Sequence, residues 1–304
     1  MVHAVVVAFH PEVDRFVAAL RATARQVDAV VVVDNGGAAS RVGEFLRDHR
    51  HESDCTLLPM QGNVGVAAAQ NAGIEHVLSA GADYVLLLDD DSMPGEGMVG
   101  VLLHAIDAAA ARGEKVAAAG PRYIEEQSAA ESHFLRYGVV GARRLGCSGR
   151  ADVLRTDALI SSGMLIPADA LRDVGRMDES LFIDHVDTDW CMRAGSKGYG
   201  LLGVCAATMA HRLGDKPSRA IAGRRIFFRS PDRHYYMFRN SVLLYRRRHA
   251  PLGWVLGDAV KLLATFLAIA AFCAPRRLHI GAAMSGVFDG LRRRAGRRPQ
   301  GAPP

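Results

Sequence analysis

Three consecutive carboxylates, Asp89, Asp90 and Asp91, end the apolar run that begins at Tyr84. Adjacent like charges repel each other, so this cluster is favourable only where a cation or a donor-rich loop neutralises it. Because side chains alternate along an extended chain, we expect Asp89 and Asp91 on one side and Asp90 on the other. Paired carboxylates are the hard oxygen ligands that Mg²⁺ and Mn²⁺ accept. The pattern indicates a divalent-metal site; the alternative is a solvated acidic turn or a helix cap.

A second acidic group contains Asp184, Asp187 and Asp189 and is followed by Trp190. Asp187 is expected to cap a helix that buries Trp190. Capping accounts for one carboxylate and leaves the other two unexplained. His211 ends a later apolar run, and a lone histidine is more often a core or surface residue than a metal ligand.

Alternating sequence patterns predict the elements that must position these groups. Apolar runs at His3–Phe9, at Ala29–Val33 and from Tyr84 predict buried strands, and segments of helical periodicity separate them. Such an alternation with short connections predicts a parallel sheet with right-handed crossovers and helices on both faces. Sheets of this kind bind ligands at the carboxyl ends of their strands. Asp34 follows the second strand, either as a ligand of a ribose or base or as a turn residue.

Two further polar residues of this half, Asn63 and Asn71, could face a ligand, although Asn63 also fits a helix N-cap. The first strand is followed by neither a G-x-G-x-x-G sequence nor a Walker loop, which argues against a dinucleotide fold and a P-loop enzyme. A nucleotidyltransferase would need a Gly-rich loop with a basic residue there, and His10-Pro11-Glu12 has the wrong chemistry.

The middle of the chain is less regular. Residues 123–157 are polar and contain glycine, which favours a long binding loop. The segment 159–166 is predicted as a strand. Gly163 within it indicates a close approach of a ligand or of backbone.

The C-terminal quarter is basic and apolar. Its arginine groups contrast with the acidic residues before Trp190, and this asymmetry favours a polyanionic partner, either nucleic acid or acidic lipid. Trp254–Cys273 is nearly all apolar, but Asp258 and Lys261 leave an uninterrupted run of only twelve residues. A membrane span needs about 20, so we expect this helix to lie in a membrane interface or, alternatively, to pack on the core. From residue 291 the chain is predicted to be disordered.

Composition sets the broad class. The chain has 304 residues, a net charge of +5 and five cysteines without paired spacing. This length suits one large domain with an extension. The cysteine spacing favours free thiols in a reducing compartment, and no signal peptide is expected. The cysteines are Cys55, Cys147, Cys191, Cys205 and Cys273.

Six segments, taken in order, resemble the family 2 glycosyltransferases, and more narrowly the bacterial rhamnosyltransferases of that family. They cover most of residues 1 to about 250, which is more specific than an isolated D-x-D sequence. Phe9-His10 stands where many relatives have Tyr-Asn, and Asp90 stands where rhamnosyltransferases often have Gln. The segments are 31–37, 62–74, 81–94, 159–166, 178–194 and 233–248.

The resemblance implies the GT-A fold of nucleotide-diphospho-sugar transferases, a Rossmann-like mixed α/β sheet with helices on both faces and a C-terminal helical extension. We expect a catalytic domain at 1–215, and the composition predicts a basic, membrane-associating helical region at 216–290 and a disordered tail at 291–304. The implied reaction is inverting, metal-dependent sugar transfer, with dTDP-L-rhamnose favoured as the donor over UDP sugars. The implied acceptor is a glycan or polyprenyl-linked saccharide of cell-surface polysaccharide synthesis. The implied location is cytoplasmic, on the anionic inner face of the cell membrane.

The resemblance also implies roles for individual residues. Asp187 is implied as the base that removes the proton of the acceptor hydroxyl, with Asp189 and Asp184 as alternatives. The implied ligands of Mn²⁺ or Mg²⁺ are Asp89, Asp91 and His211. The implied nucleotide-sugar contacts are Phe9, Asp34, Asn63, Asn71, Asp89 and Asp90. The implied sugar or acceptor contacts are Ser162, Gly163 and Trp190.

Two other functions remain open at the level of sequence. One is nucleotidyl transfer, which also pairs a D-x-D sequence at a strand end with a nucleotide. The other is nucleic-acid binding by the Arg-rich C-terminal region, which would use Tyr235, Tyr236 and Phe238 as stacking platforms. We favour glycosyl transfer, for which no nucleic-acid partner is expected.

Overall fold

The structure, a computed structural model, is built on one mixed β-sheet with helices packed on both faces. It describes residues 1–37, 42–43, 46, 55–125, 131–149, 152–211, 219–221, 224–226 and 229–299. Within these residues the strands are β1 (Val2–Ala8), β2 (Ala29–Asp34), β3 (Cys55–Pro59), β4 (Tyr84–Asp89), β5 (Met93–Pro94), β6 (Val116–Glu125), β7 (Phe134–Tyr137), β8 (Ala142–Leu145), β9 (Val153–Thr156), β10 (Met164–Pro167), β11 (Gly200–His211), β12 (Arg219–Ile221) and β13 (Arg224–Ile226). The helices are α1 (Val13–Ala24), α2 (Val66–Ser79), α3 (Met98–Ala111), α4 (Ala168–Val174), α5 (Val186–Ser196), α6 (Pro231–Leu244), α7 (Leu252–Phe272) and α8 (Arg276–Leu291), with a 3₁₀ turn at Glu179–Leu181.

The sheet has the strand order β3-β2-β1-β4-β10-β6-β11-β5, and β9 pairs with the first half of β11. The strands β3, β2, β1 and β4 are parallel, as the sequence predicts. The sheet is mixed because β10 lies antiparallel between β4 and β6. The carboxyl ends of β1, β2 and β4 therefore meet at one end of the sheet, which is where such folds bind ligands.

The first strands are apolar on both sides because helices cover both faces of the sheet. Val5 of β1 joins Ile74 of α2 in one core, and Val6 joins Phe16 of α1 in the other. Gly73 of α2 lies so close to β1 that a Cβ atom there would overlap the Val5 side chain. This contact presses α2 against the sheet and fixes the amino end of α2 at the carboxyl ends of the strands.

The region predicted as a long binding loop, 123–157, contains regular structure. Strand β6 extends to Glu125, the hairpin β7–β8 follows, and β9 returns to the main sheet. Residues 126–130 and 150–151 lie outside the described part of the chain. Four-residue edge strands with polar side chains have too weak an apolar alternation to be found by pattern, so this prediction was wrong.

Gly163 lies in a turn before β10 rather than within a strand. Its φ is +82°, and a Cβ atom there would lie 2.6 Å from the Pro121 ring. Its backbone N–H donates to the Leu87 carbonyl at 2.8 Å. The protein itself therefore makes the close approach, and the implied sugar or acceptor contact at Gly163 is not supported.

One pair of cysteines contradicts the prediction of free thiols. Cys147 follows β8 and Cys205 lies in β11, and the two form a disulfide with a Cα–Cα distance of 5.8 Å. They are 58 residues apart in sequence, so only the sheet topology brings them together. The thiols of Cys191 and Cys273 are free and buried, as predicted.

Helix α7 is longer than its uninterrupted apolar run. It has 21 residues and is long and apolar enough to cross a membrane by length and composition. Asp258 does not interrupt it, because this carboxylate turns inward and accepts a hydrogen bond from the Tyr245 hydroxyl at 2.8 Å. Gly253 and Gly257 lie against the β7–β8 hairpin, where added Cβ atoms would overlap its backbone. The amino-terminal half of α7 is therefore fastened to the sheet domain.

The predicted disorder from residue 291 does not describe the segment up to residue 299. The Arg298 backbone N–H donates to the Tyr236 hydroxyl at 2.9 Å, and its guanidinium lies 4.5 Å from the centre of the Tyr235 ring. The Gly296 carbonyl accepts a hydrogen bond from Arg239. Stacking and hydrogen bonding to α6 order a segment whose composition alone is typical of disorder.

Candidate active site

Three of the predicted site residues lie at adjacent strand ends. In the sheet register Ala8 pairs with Asp34, and Val7 pairs with Asp89, so the two aspartates flank the end of β1. Asp34 is buried, and its Oδ1 accepts the Gly36 N–H at 3.0 Å. Phe9 follows β1 directly and has an exposed ring. A strand end with one exposed aromatic ring and carboxylates on both sides has the composition of a nucleotide site.

The acidic triplet does not continue the strand. β4 ends at Asp89, and a turn closed by the Ser92 N–H donating to the Asp89 carbonyl at 3.2 Å contains Asp90 and Asp91. The alternation of side chains along the strand therefore stops at Asp89. The expectation that alternation places Asp91 on the same side as Asp89 was wrong. The observed direction of Asp90 has a different cause, because its Oδ2 accepts the Phe9 N–H at 2.7 Å.

The triplet concentrates negative charge in a half-buried place. Burial above all, together with the neighbouring charges of Asp91 and Asp89, raises the pKa of Asp90 to about 7, against the opposing effect of the Phe9 N–H. A divalent cation would relieve this repulsion, and Mg²⁺ is often held by one or two carboxylates together with substrate phosphates. The oxygens of the triplet therefore fit a cation that a nucleotide diphosphate helps to bind.

Within the part of the chain that the structure describes, the protein side chains alone do not form a complete metal site. Among the described residues, no group of three or more His, Cys, Asp or Glu side chains is arranged to hold a metal ion. His211 ends β11, but its side chain lies outside the described part of the structure. Its role as the third ligand stays a prediction.

Ser162 is a support for β4. It is buried, its Oγ accepts the Asp89 N–H at 3.1 Å, and it lies 2.6 Å from the Ser92 Oγ. The implied contact with sugar or acceptor is therefore replaced by a structural role, in which Ser162 fixes the end of β4 and the turn after it.

The loop before α2 is closed by asparagines. Asn35 Oδ1 accepts the Val64 N–H at 2.9 Å, and its amide donates to Asn63 Oδ1 at 3.3 Å. Asn63 Oδ1 also accepts the N–H of Gly65, the N-cap residue of α2, at 3.0 Å. Asn63 is thus part of a loop-capping network beside Asp34, and Asn35 is a member that sequence reasoning missed.

Asn71 is held by the segment that precedes the second acidic group. Its Oδ1 accepts the Met177 N–H at 2.9 Å, and its amide donates to the Met177 carbonyl at 2.9 Å and to Glu179 at 2.8 Å. Both amide hydrogens are used, and the residue is buried. Asn71 therefore ties α2 to the segment before the second acidic group, which corrects its assignment as a nucleotide contact.

Two members of the second acidic group, Asp187 and Asp189, lie in the first turn of α5. The N-cap is His185, whose φ is +63°, so Asp187 is not the cap that the sequence predicts. The Asp187 carboxylate accepts the Thr188 N–H at 2.7 Å. Burial raises the pKa of Asp187, and the charge of Asp187 acts on the Tyr123 and Tyr137 hydroxyls.

The sequence and the fold of this chain are similar to those of known proteins. The model of glycosyl transferase family 2 matches residues 4–147. The dTDP-rhamnosyl transferase RfbF of Shigella flexneri is 33% identical over 277 residues, which cover 88% of each chain. The chain belongs to glycosyl transferase family 2. The galactofuranosyltransferase GlfT1 of Mycobacterium tuberculosis (strain ATCC 25618 / H37Rv) is 29% identical over 230 residues, or 73% of each chain.

Solved structures confirm the GT-A fold. Staphylococcus aureus TarS 1-349 in complex with UDP-GlcNAc superposes with a TM-score of 0.60 at 15% identity, covering 95% of this chain and 81% of that one. GalNAc-T7 with UDP, GalNAc and Mn²⁺ superposes with a TM-score of 0.58 at 11% identity, covering 86% and 54%. These identities are too low to carry over residue roles, so they support the fold alone.

In this glycosyltransferase the two alternative bases are held in ion pairs. Asp184 lies 2.6 Å from Arg229 and 2.8 Å from Arg233. Burial acts to raise the pKa of Asp184, but the charges of the two guanidiniums outweigh it and lower the pKa. Asp189 is fully buried and pairs with Arg193 at 2.9 Å and with Arg247 at 2.6 Å. The lowered pKa makes Asp184 a poor proton acceptor, and both oxygens of Asp189 are occupied by guanidinium groups, so neither residue is placed to act as the base.

Trp190 is a core residue of the glycosyltransferase. It is fully buried, and its Nε1–H donates to the Gly175 carbonyl at 2.8 Å. The helix does bury this ring, as the sequence predicts, but no ring surface remains for a sugar or acceptor. The implied contact is therefore wrong.

Gln70 is a candidate that sequence reasoning missed. It lies on the sheet-facing side of α2, one turn before Gly73 and toward the carboxyl ends of β1 and β2. It is 2% exposed, and within the described residues its Oε1 has no hydrogen-bond partner. An unsatisfied buried acceptor costs about 1–3 kcal/mol, and an N–H of a bound nucleotide could recover that energy. Only the three-dimensional count of hydrogen bonds reveals this residue.

We expect Gln70→Leu to raise the free energy of unfolding of the ligand-free enzyme and to weaken donor binding about threefold to tenfold, the worth of one hydrogen bond. Calorimetry with the nucleotide and thermal melting measure the two effects. The matched control is Gln26→Leu, because the Gln26 amide donates to Ala22 at 3.1 Å and Gly95 at 3.0 Å. This control should lower the melting temperature and leave donor affinity unchanged. Equal behaviour of the two variants would contradict the assignment.

Proposed function

We propose that the enzyme transfers L-rhamnose from dTDP-L-rhamnose to a glycan or lipid-linked saccharide, with inversion at C1. The observation that carries this donor is the 33% identity to a dTDP-rhamnosyl transferase along 88% of both chains. The two carboxylate groups of the site support the chemistry. One lies at the end of β4, and the other, Asp187, is at the start of α5.

The donor half of the reaction uses the strand ends. Asp34 is suited to bind the base or ribose, and the exposed Phe9 ring can cover the base. A Mn²⁺ or Mg²⁺ ion held by Asp89 and Asp91 would supply charge stabilisation for the departing diphosphate. Asp90 supports this end of the site by holding the Phe9 backbone.

The acceptor half of the reaction uses Asp187. As the acceptor oxygen bonds to C1 and the bond from C1 to the diphosphate oxygen breaks, the carboxylate takes the hydroxyl proton. Attack on the face opposite the leaving group inverts C1. Because burial raises the pKa of Asp187, it is a stronger base than an exposed aspartate.

We also propose that this enzyme works at an anionic membrane surface. The outer face of α7 is apolar and exposed; Val260 is 67% exposed, and Val139 at the adjoining hairpin tip is 90% exposed. Large exposed apolar faces mark contact sites for proteins or lipids, and flanking arginines fit acidic headgroups. The exposed apolar residues of the face are Val139, Val140, Leu252, Leu256, Val260, Leu263 and Leu267.

The alternative of nucleic-acid binding loses its support. Tyr235, Tyr236 and Phe238, the expected stacking platforms, are all buried within the C-terminal helices. A base cannot stack on rings that are already covered by Arg239 and Phe266.

The donor and the metal can be tested together. We expect calorimetry to show binding of dTDP-L-rhamnose that is tighter than that of UDP-GlcNAc, and transfer that stops in excess EDTA. Asp91→Ala should abolish transfer, while Asp90→Asn should be milder because its amide oxygen can still accept the Phe9 N–H. Tight UDP binding without dTDP binding would overturn the donor, and full activity in EDTA would remove the metal.

Asp187→Asn is expected to lower turnover about 10²–10⁴-fold, the usual worth of a general base, without loss of donor affinity or melting temperature. The rate of the native enzyme should fall as the pH drops through the raised pKa of Asp187, above the value of about 3.9 for an ordinary aspartate. Asp189→Asn is the contrast, because it breaks buried ion pairs and should lower the melting temperature. Normal turnover of Asp187→Asn would sink the base assignment.

Membrane binding is tested by Leu263→Glu in the outer face of α7. We expect about tenfold weaker binding to phosphatidylglycerol vesicles, because a charge replaces an apolar side chain that would enter the interface. Val153→Glu, an exposed apolar position on β9, is the matched control and should bind normally. Equal binding of both variants in co-sedimentation would argue against this face.

A further inference from the structure

The loop that leads into α5 has an unusual backbone. Phe182, Asp184 and His185 have φ values of +63°, +65° and +63°, although none is glycine. Such conformations persist only where surrounding contacts hold them. Asp187, the proposed base, follows this loop by two residues, so whatever holds the loop also sets the position of the base.

Helix α6 makes the contacts that hold this loop, and Asn240 is the central residue among them. Its amide nitrogen lies 2.9 Å from the Leu181 carbonyl, 2.8 Å from that of Ile183 and 2.9 Å from that of Asp184. Asn240 is fully buried, and its Oδ1 accepts a hydrogen bond from Arg239 Nε at 2.9 Å. The side-chain amide of Asn240 thus provides donors for three carbonyls that the left-handed turns direct inward, and these carbonyls share its two hydrogens.

Neighbouring residues of α6 hold the same loop by its side chains. The Ser241 hydroxyl lies 3.1 Å from His185 Nε2, and Arg233 makes two hydrogen bonds to the Asp184 carboxylate at 2.9 and 2.8 Å. Beyond Asp187 the chain is anchored again, because Arg247 pairs with Asp189 at 2.6 Å.

We propose that Asn240 is a positioning residue that sets the location of Asp187 for proton transfer. This inference rests on the proposed role of Asp187 as the base. It gives a function to the Arg- and Tyr-rich segment 233–248, which none of the proposed chemistry uses. A displacement of a catalytic group by about 1 Å can cost about 10²-fold in rate. In the described structure the side-chain hydrogen bonds of Asn240 go to the loop and to Arg239, so donor binding should not depend on it.

The test compares Asn240→Ala with Thr156→Val. Thr156 is a matched control because it is buried and also joins a side chain to backbone, donating to the Leu135 carbonyl at 2.7 Å. Its hydrogen bonds in the described structure go to Leu135 and Ala158 and not to the loop before α5. For each variant we would measure kcat, the donor dissociation constant, the melting temperature and the pH profile of kcat.

We expect Asn240→Ala to lower kcat about 10–100-fold while the donor dissociation constant stays within threefold. Thr156→Val should show a similar decrease in melting temperature and keep kcat within twofold of the native value. In Asn240→Ala the acid limb of kcat should also move to lower pH, because a loosened loop admits water and reverses the effect of burial on the Asp187 pKa. The titratable groups whose charges interact with that of Asp187 include His185, Tyr123, Tyr137 and Cys191.

Unchanged kcat in folded Asn240→Ala overturns the inference, and so does an equal loss in Thr156→Val. If Asn240→Ala does not fold, Ser241→Ala carries the test, since it removes one hydroxyl and should lower kcat about threefold to tenfold at constant donor affinity. Unchanged kcat in Ser241→Ala then overturns the inference. Failure of the native enzyme to transfer rhamnose, or full activity of Asp187→Asn, would count against the proposed function instead.

Discussion

The buried charge of Asp189 is the constraint on which the site depends most. The carboxylate is fully buried in α5, and Arg193, Arg247 and His249 all contact it. Removing one partner of such a buried pair costs about 3–5 kcal/mol, because the remaining charge has no water to replace the partner. Arg247 also contacts Asp178, which precedes the 3₁₀ turn. One guanidinium therefore ties both Asp178 and Asp189 to the C-terminal region. These ion pairs therefore connect the catalytic domain to the C-terminal helices.

The strand-end residues were predictable because the signals there are local. Long apolar runs fix β1, β2 and β4, and each run ends at a polar residue, so Asp34 and Asp89 had to lie at the carboxyl ends of the strands. Residue exposure was not predictable in this way. Trp190 occupies a helix position that could face either a core or a cleft, and only packing against the neighbouring elements decides which.

Long-range pairings explain the other differences. The partner of Cys147 is 58 residues away, and two strands must form before the sulfurs can meet. The sequence around Gln70 is ordinary for a helix, and its missing hydrogen bond appears only when all neighbours are in place. The loop conformations at Asp184 and His185 likewise depend on α6, which follows them by about fifty residues in the chain.

The docking of the segment after α8 has a practical consequence for handling this enzyme. Arg298 and Gly296 lie against α6, the same helix that grips the loop before α5. An affinity tag attached directly after residue 299 would lie beside the surface around Tyr235 and Tyr236 that this contact covers. A tag at the amino end has its own cost, because the Met1 ammonium pairs with Asp83 at 2.5 Å. Because that ion pair is exposed, losing it would cost less stability than losing the contacts of Arg298 and Gly296.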